Sequence, residues 1–260
     1  MSELGSCDRG ISGEHLVSKS IMRLLAGDGE FTVGGLPWIP DGEFRAVGFK
    51  SLTANCLCGL HNSHIHPLDD AALAFFTALR SCLEREADDL KFIVSGHDIE
   101  RWLLKTLKAM AVSSNLMRGG QTLSGTFQND LSVVNMLDDI TGWPPGAGLY
   151  CTMNTGDITH NHNRFRLAPL TNDTGELGGL WTEIMGLSFV LLLEPLDLSK
   201  NPQLKDAVYR PGEIVIDYPG SRNWLVISWE DGKPHGNAMS LKFVGPASTP
   251  WSPPTTNTSI

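Results

Sequence analysis

Residues 187–193, Leu-Ser-Phe-Val-Leu-Leu-Leu, form a nearly continuous apolar run. A strand with one face in water alternates apolar and polar positions, whereas a strand covered on both faces does not need to. The run predicts a central, buried strand, and the rest of the chain must supply what covers it. Its apolar stretch from Phe189 to Leu193 is far too short to span a bilayer. Beyond Trp143, short runs at 149–153, 164–167, 213–218, 224–229 and 241–244 are separated by Gly, Pro, Asn and Asp. They read as strands of a mostly antiparallel sheet or sandwich.

The first half carries a different period. Residues 43–58 hold Phe44, Val47, Phe49, Leu52 and Leu57 in loose alternation and read as a strand or hairpin. Residues 58–66 read as a short helix ending at Pro67. A longer helix follows over 68–83, with Ala72, Phe75, Phe76, Leu79 and Leu83 at helical spacing and Asp69 and Asp70 in its first turn, where negative charge suits the macrodipole. Another helix begins near His97. Its apolar stripe is Ile99, Leu103, Leu107 and Met110, and Arg101, Lys105 and Lys108 share the opposite face. The fold class is α+β, with a strand-and-helix N-terminal unit over 1–115, a mostly antiparallel β-rich module over 116–245 and a flexible tail over 246–260.

Of the 260 residues, 41% are hydrophobic and 19% charged, a balance that excludes a disordered chain or a coiled coil. The formal charge of −9 excludes a protein that coats nucleic acid by bulk electrostatics. It leaves room for a nucleic-acid enzyme, which needs only a local positive field from a divalent metal and a few Arg or Lys. The N-terminus shows no basic region leading into an apolar run, so a soluble, cytoplasmic protein without membrane partners is expected. The five cysteines are an odd number, and Cys56 and Cys58 lie two apart, a spacing suited to reduced thiols or metal ligands in a reducing compartment.

Two segments carry chemistry: Glu14-His15 within Ser12-Gly13-Glu14-His15-Leu16-Val17-Ser18, and Cys58-Gly59-Leu60-His61-Asn62. An acidic residue before His, then Cys-x2-(Cys/His)-Asn entering a helix, resembles the HNH endonuclease pattern of the His-Me, or ββα-metal, finger. With Pro67-Leu68-Asp69 and the string Glu100-Arg101-Trp102-Leu103-Leu104-Lys105-Thr106, it also resembles a group of uncharacterised bacterial HNH-like proteins over roughly the first 110 residues.

The resemblance implies a metal-dependent nuclease acting on nucleic acid, DNA foremost. His15 would be the general base, Asn55 the residue that orients it, and Glu14 and Asn62 the ligands of a catalytic Mg²⁺ or Mn²⁺. In-line phosphodiester cleavage needs an activated water and a cation at the phosphate, and imidazole and hard oxygen donors suit those tasks. The family pattern also implies a structural Zn²⁺, for which Cys7, Cys58 and His61 are visible ligands. Either Cys56 completes the set, or the thiols pack as small hydrophobes. A rival grouping gathers Cys58, His61, His64 and His66 on one ion. Arg101, Lys105 and Lys108 would offer a phosphate-binding edge, and the β-rich module could dock a protein partner.

Outside these motifs, His160 and His162 read as a solvated loop, Cys82 and Cys151 as packing residues, and Arg164 and Arg166 as strand arginines able to face a ligand. Two other function classes stay open: a catalytically silent HNH-like module that binds nucleic acid or protein, and a zinc-stabilised interaction protein.

Overall fold

The computed structural model describes residues 7–8, 10–27, 30–84, 87–118, 121–123, 127, 131–138, 142–153, 164–195, 204, 206–229 and 235–242. The chain begins with strand β1 (Ile11–His15), helix α1 (Lys19–Ala26), strands β2 (Phe31–Gly34) and β3 (Phe44–Val47), a 3-10 turn (Phe49–Leu52) and strand β4 (Thr53–Cys58). Helix α2 (Gly59–Glu84), strand β5 (Lys91–Ser95), helix α3 (Gly96–Val112), the short strands β6 (Met117–Arg118) and β7 (Gln121–Thr122) and helix α4 (Leu131–Asp138) follow. The remaining elements are strands: β8 (Gly148–Met153), β9 (Arg164–Thr171), β10 (Leu177–Ile184), β11 (Leu187–Leu192), β12 (Val208–Tyr209), β13 (Glu213–Tyr218), β14 (Ser221–Ser228) and β15 (Ala238–Lys242). The mixed α+β class and the β-rich second half are as expected. No helix among the described residues is long and apolar enough to cross a membrane.

The apolar run forms β11, inside a seven-stranded sheet ordered β12-β8-β11-β10-β9-β2-β3. Its two faces enter two cores. Leu187, Phe189 and Leu191 join the main core, while Val190 and Leu192 pack with Tyr150 and Leu204 on the other side. Phe189 meets Phe75 and Phe76 of α2 edge-on, with ring centroids 5.9 and 5.4 Å away, and Phe76 meets Trp102 of α3 at 5.6 Å. Helices α2 and α3 thus cover one face of the sheet. On their other side lies a four-stranded sheet, β15-β13-β14-β5, which contributes Ile214, Ile216, Leu225 and Ile227 to the same core.

Three local differences from expectation have physical causes. Strand β10 does not show in the sequence because Gly178 and Gly179 break its pattern; Gly179 is required there because a Cβ would lie 2.2 Å from the Leu191 carbonyl oxygen. It joins β11 through Met185 and Gly186, both at positive φ (54° and 78°), the backbone of a tight two-residue hairpin. Residues 43–58 form no hairpin, since β3 pairs with β2 and β4 with β1.

Helix α2 runs through Pro67 without a break. An interior proline costs about 3 kcal/mol, but the buried stripe of Ile65, Leu68, Ala72, Phe75, Phe76 and Leu79 spans it. Each large apolar side chain there gains about 1.5–3 kcal/mol from burial, so the stripe prevails. Asp69 and Asp70 are therefore mid-helix and not in a first turn.

Helix α3 is tied to the seven-stranded sheet through Glu100, which is 0% exposed. Glu100 Oε1 accepts from Arg210 Nε at 2.8 Å and from the Leu149 amide at 2.7 Å, and Oε2 accepts from an Arg210 terminal nitrogen at 3.0 Å. His97 Nδ1 lies 3.4 Å from Oε2. The sheets also cross the boundary expected near residue 115: β2 pairs with β9, and β5 pairs with β14. The expected tail at 246–260 lies outside the described residues, as do His160 and His162.

Candidate active site and metal centre

Strands β1 and β4 form a two-stranded antiparallel ribbon that leads directly into α2. Ile11 faces Cys58, Ser12 faces Leu57, Glu14 faces Ala54 and His15 faces Thr53, with an irregularity between Ser12 and Glu14. Successive strand residues point to opposite sides. Glu14 accordingly turns inward, 4% exposed, and His15 is half-buried at the strand's end. Burial, followed by the nearby Lys19, holds the His15 imidazole below its ordinary value; Asp69 opposes the shift. The shift favours the neutral ring, the form that can accept a proton.

Glu14 meets Lys105 of α3, with Oε1 2.6 Å from Nζ. The same ammonium lies 2.7 Å from each carboxylate oxygen of Asp69 on α2. Ser18, just beyond β1, donates its hydroxyl to Asp69, and Trp102 Nε1 donates to Ser18 Oγ at 2.6 Å. Three segments of the chain, β1 with the residues just after it, α2 and α3, therefore meet around one buried lysine. Burial raises the Glu14 carboxyl above its ordinary value, Lys105 opposing, and Glu14 Oε1 has no hydrogen-bond donor aligned with it. We take the close Lys105 contact as an ion pair without good hydrogen-bond geometry.

Spacing alone gives Ser18 and Trp102 no role at the site and marks Asp69 only as a helix-start acid. Asn62 stands near the start of α2, half-buried. The α2 residue brought against Lys105 and Glu14 is Asp69, two turns or about 10 Å of helix beyond Asn62. Asn55 is exposed, with its Oδ1 beside Gly13, and no hydrogen bond among the described residues joins it to His15.

The expected phosphate-binding face of α3 is turned inward. Lys105 is 4% exposed, Arg101 Nε donates to the Leu137 carbonyl at 2.6 Å, and Lys108 Nζ donates to the Phe127 carbonyl at 2.5 Å and sits over the Phe127 ring. The reason is packing: α3 is enclosed by α2, α4 and both large sheets, so it has no broad solvent face. Arg164 and Arg166 likewise stack on Phe44 and Trp181. A cleft of about 450 Å³ beside Leu68, Arg101, Leu137 and Asp138 includes neither Glu14 nor His15 in its lining.

At the other end of the ribbon, Asp8 Oδ2 accepts from the Leu60 amide at 3.0 Å and the Gly59 amide donates to the Gly10 carbonyl at 3.1 Å. This strap satisfies the first amides of α2 and brings Cys7 to Cys58. His61 Nδ1 lies 3.4 Å from Cys7 Sγ and 3.1 Å from Cys58 Sγ, and all three atoms lie within 4.8 Å of one another. Two sulfurs and an imidazole nitrogen this close could hold a metal ion.

Cys56 is outside the group; its thiol is pushed up to about 11 by burial and by Glu14. His64 and His66 are outside it as well, paired with Asp138 at 3.1 Å and Asp70 at 3.3 Å. Cys82 and Cys151 are fully buried. Comparison with protein-family models, curated proteins and solved structures returns no match.

Proposed function

We propose that the chain is an HNH-type phosphodiester hydrolase acting on nucleic acid, DNA foremost, with His15 as general base. The observation that carries the reading is the placement of His15: a half-exposed imidazole at the end of β1, in an antiparallel ribbon that runs into α2. In this reading His15 accepts a proton from the attacking water. Zn²⁺ held by Cys7, Cys58 and His61 would supply structural closure between the N-terminal strap and α2. The catalytic Mg²⁺ or Mn²⁺ of the resemblance does not fit Glu14, whose carboxylate is already paired with Lys105. The protein would work in the cytoplasm, with the β-rich half positioning substrate or docking a protein partner.

The pairing of Glu14 with Lys105 favours one second reading, a catalytically silent HNH-like module that binds nucleic acid or protein. Nicking of supercoiled plasmid in Mg²⁺ or Mn²⁺ separates the two. His15→Ala is expected to lower the rate about 10²–10⁴-fold if His15 is the base. No nicking by either protein would leave the silent module, and equal nicking by both would overturn His15 as the base.

A further inference from the structure

We infer that Lys105 is the resident cation of the ribbon site and that Glu14 is not a ligand for a divalent metal ion; the inference rests on reading the ribbon as HNH-type. Lys105 Nζ donates to Asp69 Oδ1 and Oδ2 at 2.7 Å and lies 2.6 Å from Glu14 Oε1 as an ion pair, so three carboxylate oxygens crowd the one ammonium. A divalent ion bound by the same oxygens must come within about 2.0–2.6 Å of them, into the space that Nζ holds. The lysine is 4% exposed, and α3 is held on either side of it by Trp102, Leu104 and Leu107, all 0% exposed, so the side chain cannot withdraw to solvent without opening the core.

The charges agree with this assignment. Two carboxylates and one ammonium leave a single negative charge, which a proton on Glu14 can neutralise; a divalent ion added to the intact cluster would instead meet the lysine's positive charge at contact distance. Ligand geometry points the same way. Among the described residues, the one group of three or more His, Cys, Asp or Glu donors close enough to share an ion is Cys7, Cys58 and His61. Glu14, Asp69 and His15 do not form such a group.

The test is Mn²⁺ binding to the full chain, read from loss of the free-ion electron paramagnetic resonance signal. Wild type and Glu14→Gln are expected to bind Mn²⁺ alike. Lys105→Met, which frees both carboxylates, is expected to bind at least tenfold more tightly, and the double variant Glu14→Gln/Lys105→Met should lose that gain. A tenfold or greater weakening in Glu14→Gln alone overturns the inference, and so does a folded Lys105→Met protein with no gain. If circular dichroism shows Lys105→Met unfolded, the comparison of wild type with Glu14→Gln decides. Plasmid nicking keeps the two ideas apart. A chain that nicks through His15 but binds Mn²⁺ through Glu14 defeats this inference alone, whereas a chain that never nicks defeats the hydrolase reading, and Mn²⁺ binding still decides what Lys105 does.

Discussion

Helix α3 carries two buried ion clusters, one at Glu100 and one at Lys105, and they are built differently. At Glu100 both carboxylate oxygens are bonded to Arg210, one also takes the Leu149 amide, and one positive group meets one negative group. At Lys105 one positive group meets two negative ones, and a Glu14 oxygen lacks an aligned donor. The first pairs every Glu100 oxygen, leaves only the neighbouring His97 Nε2 without a partner among the described residues, and fastens the helix to the seven-stranded sheet. The second is unbalanced and ends one residue from a half-exposed histidine. Buried groups left in electrostatic tension beside an accessible imidazole are characteristic of reactive sites, whereas a fully satisfied pair mainly fixes structure.

If that contrast is right, breaking the Glu100 cluster costs the most stability. Glu100→Ala leaves Arg210 buried without its counter-ion and is expected to lower unfolding free energy by about 3–5 kcal/mol, read as a shifted urea midpoint. Lys105→Met should cost less, about 2–3 kcal/mol, because Asp69 reaches solvent and Glu14 can take a proton. Equal losses in the two variants would remove the distinction.

The unbalanced cluster should also show in pH dependence. A carboxyl raised by burial contributes stability that is complete below its ordinary value, roughly pH 4.3, and is lost as pH rises through the raised folded value. Glu14→Gln should therefore gain on wild type between pH 4 and 7, and a constant difference across that range would contradict the assignment. For His15 the sign is opposite. If His15 is the base, its lowered value favours the neutral ring to below about pH 6.5, so the acid limb of any nicking should have its midpoint below that pH; a midpoint above it would place the base elsewhere.

The smallest effect belongs to Arg101 and Lys108. Each holds a carbonyl of a neighbouring segment, so Arg101→Ala/Lys108→Ala should cost about 1–3 kcal/mol and leave the salt dependence of DNA binding unchanged. A slope reduced by about 0.9 per residue would return both to the phosphate-binding edge.

What the sequence disclosed depended on whether a residue's role was local. The run that became β11, the strand β13 and the stripe of α3 all declare themselves through spacing, and the structure places them as expected. The Cys7, Cys58 and His61 grouping was also legible, although the strap that assembles it was not. The continuity of α2 was hidden because Pro67 is a strong local signal and the stripe that overrides it gains its energy from distant partners. The roles of Ser18, Asp69 and Trp102 arise where segments far apart in the chain meet, so no spacing could announce them. Lys105 was misread for a related reason. Dividing a helix into a buried and a solvated face assumes one covered side, and α3 is covered nearly all round.

The parallel pairing of β5 with β14 has a consequence for synthesis. Lys91 faces Trp224 across that ladder, so an early-made strand waits for a partner more than a hundred residues downstream. Pairings this distant in sequence are slow to close. A growing or truncated chain that stops near residue 115 would present β5 as a bare edge, with Ile93 on it already 75% exposed in the finished fold. Unpaired apolar edges recruit other chains. Expressed alone, the first 115 residues should associate with one another and should not yield a stable fold of their own.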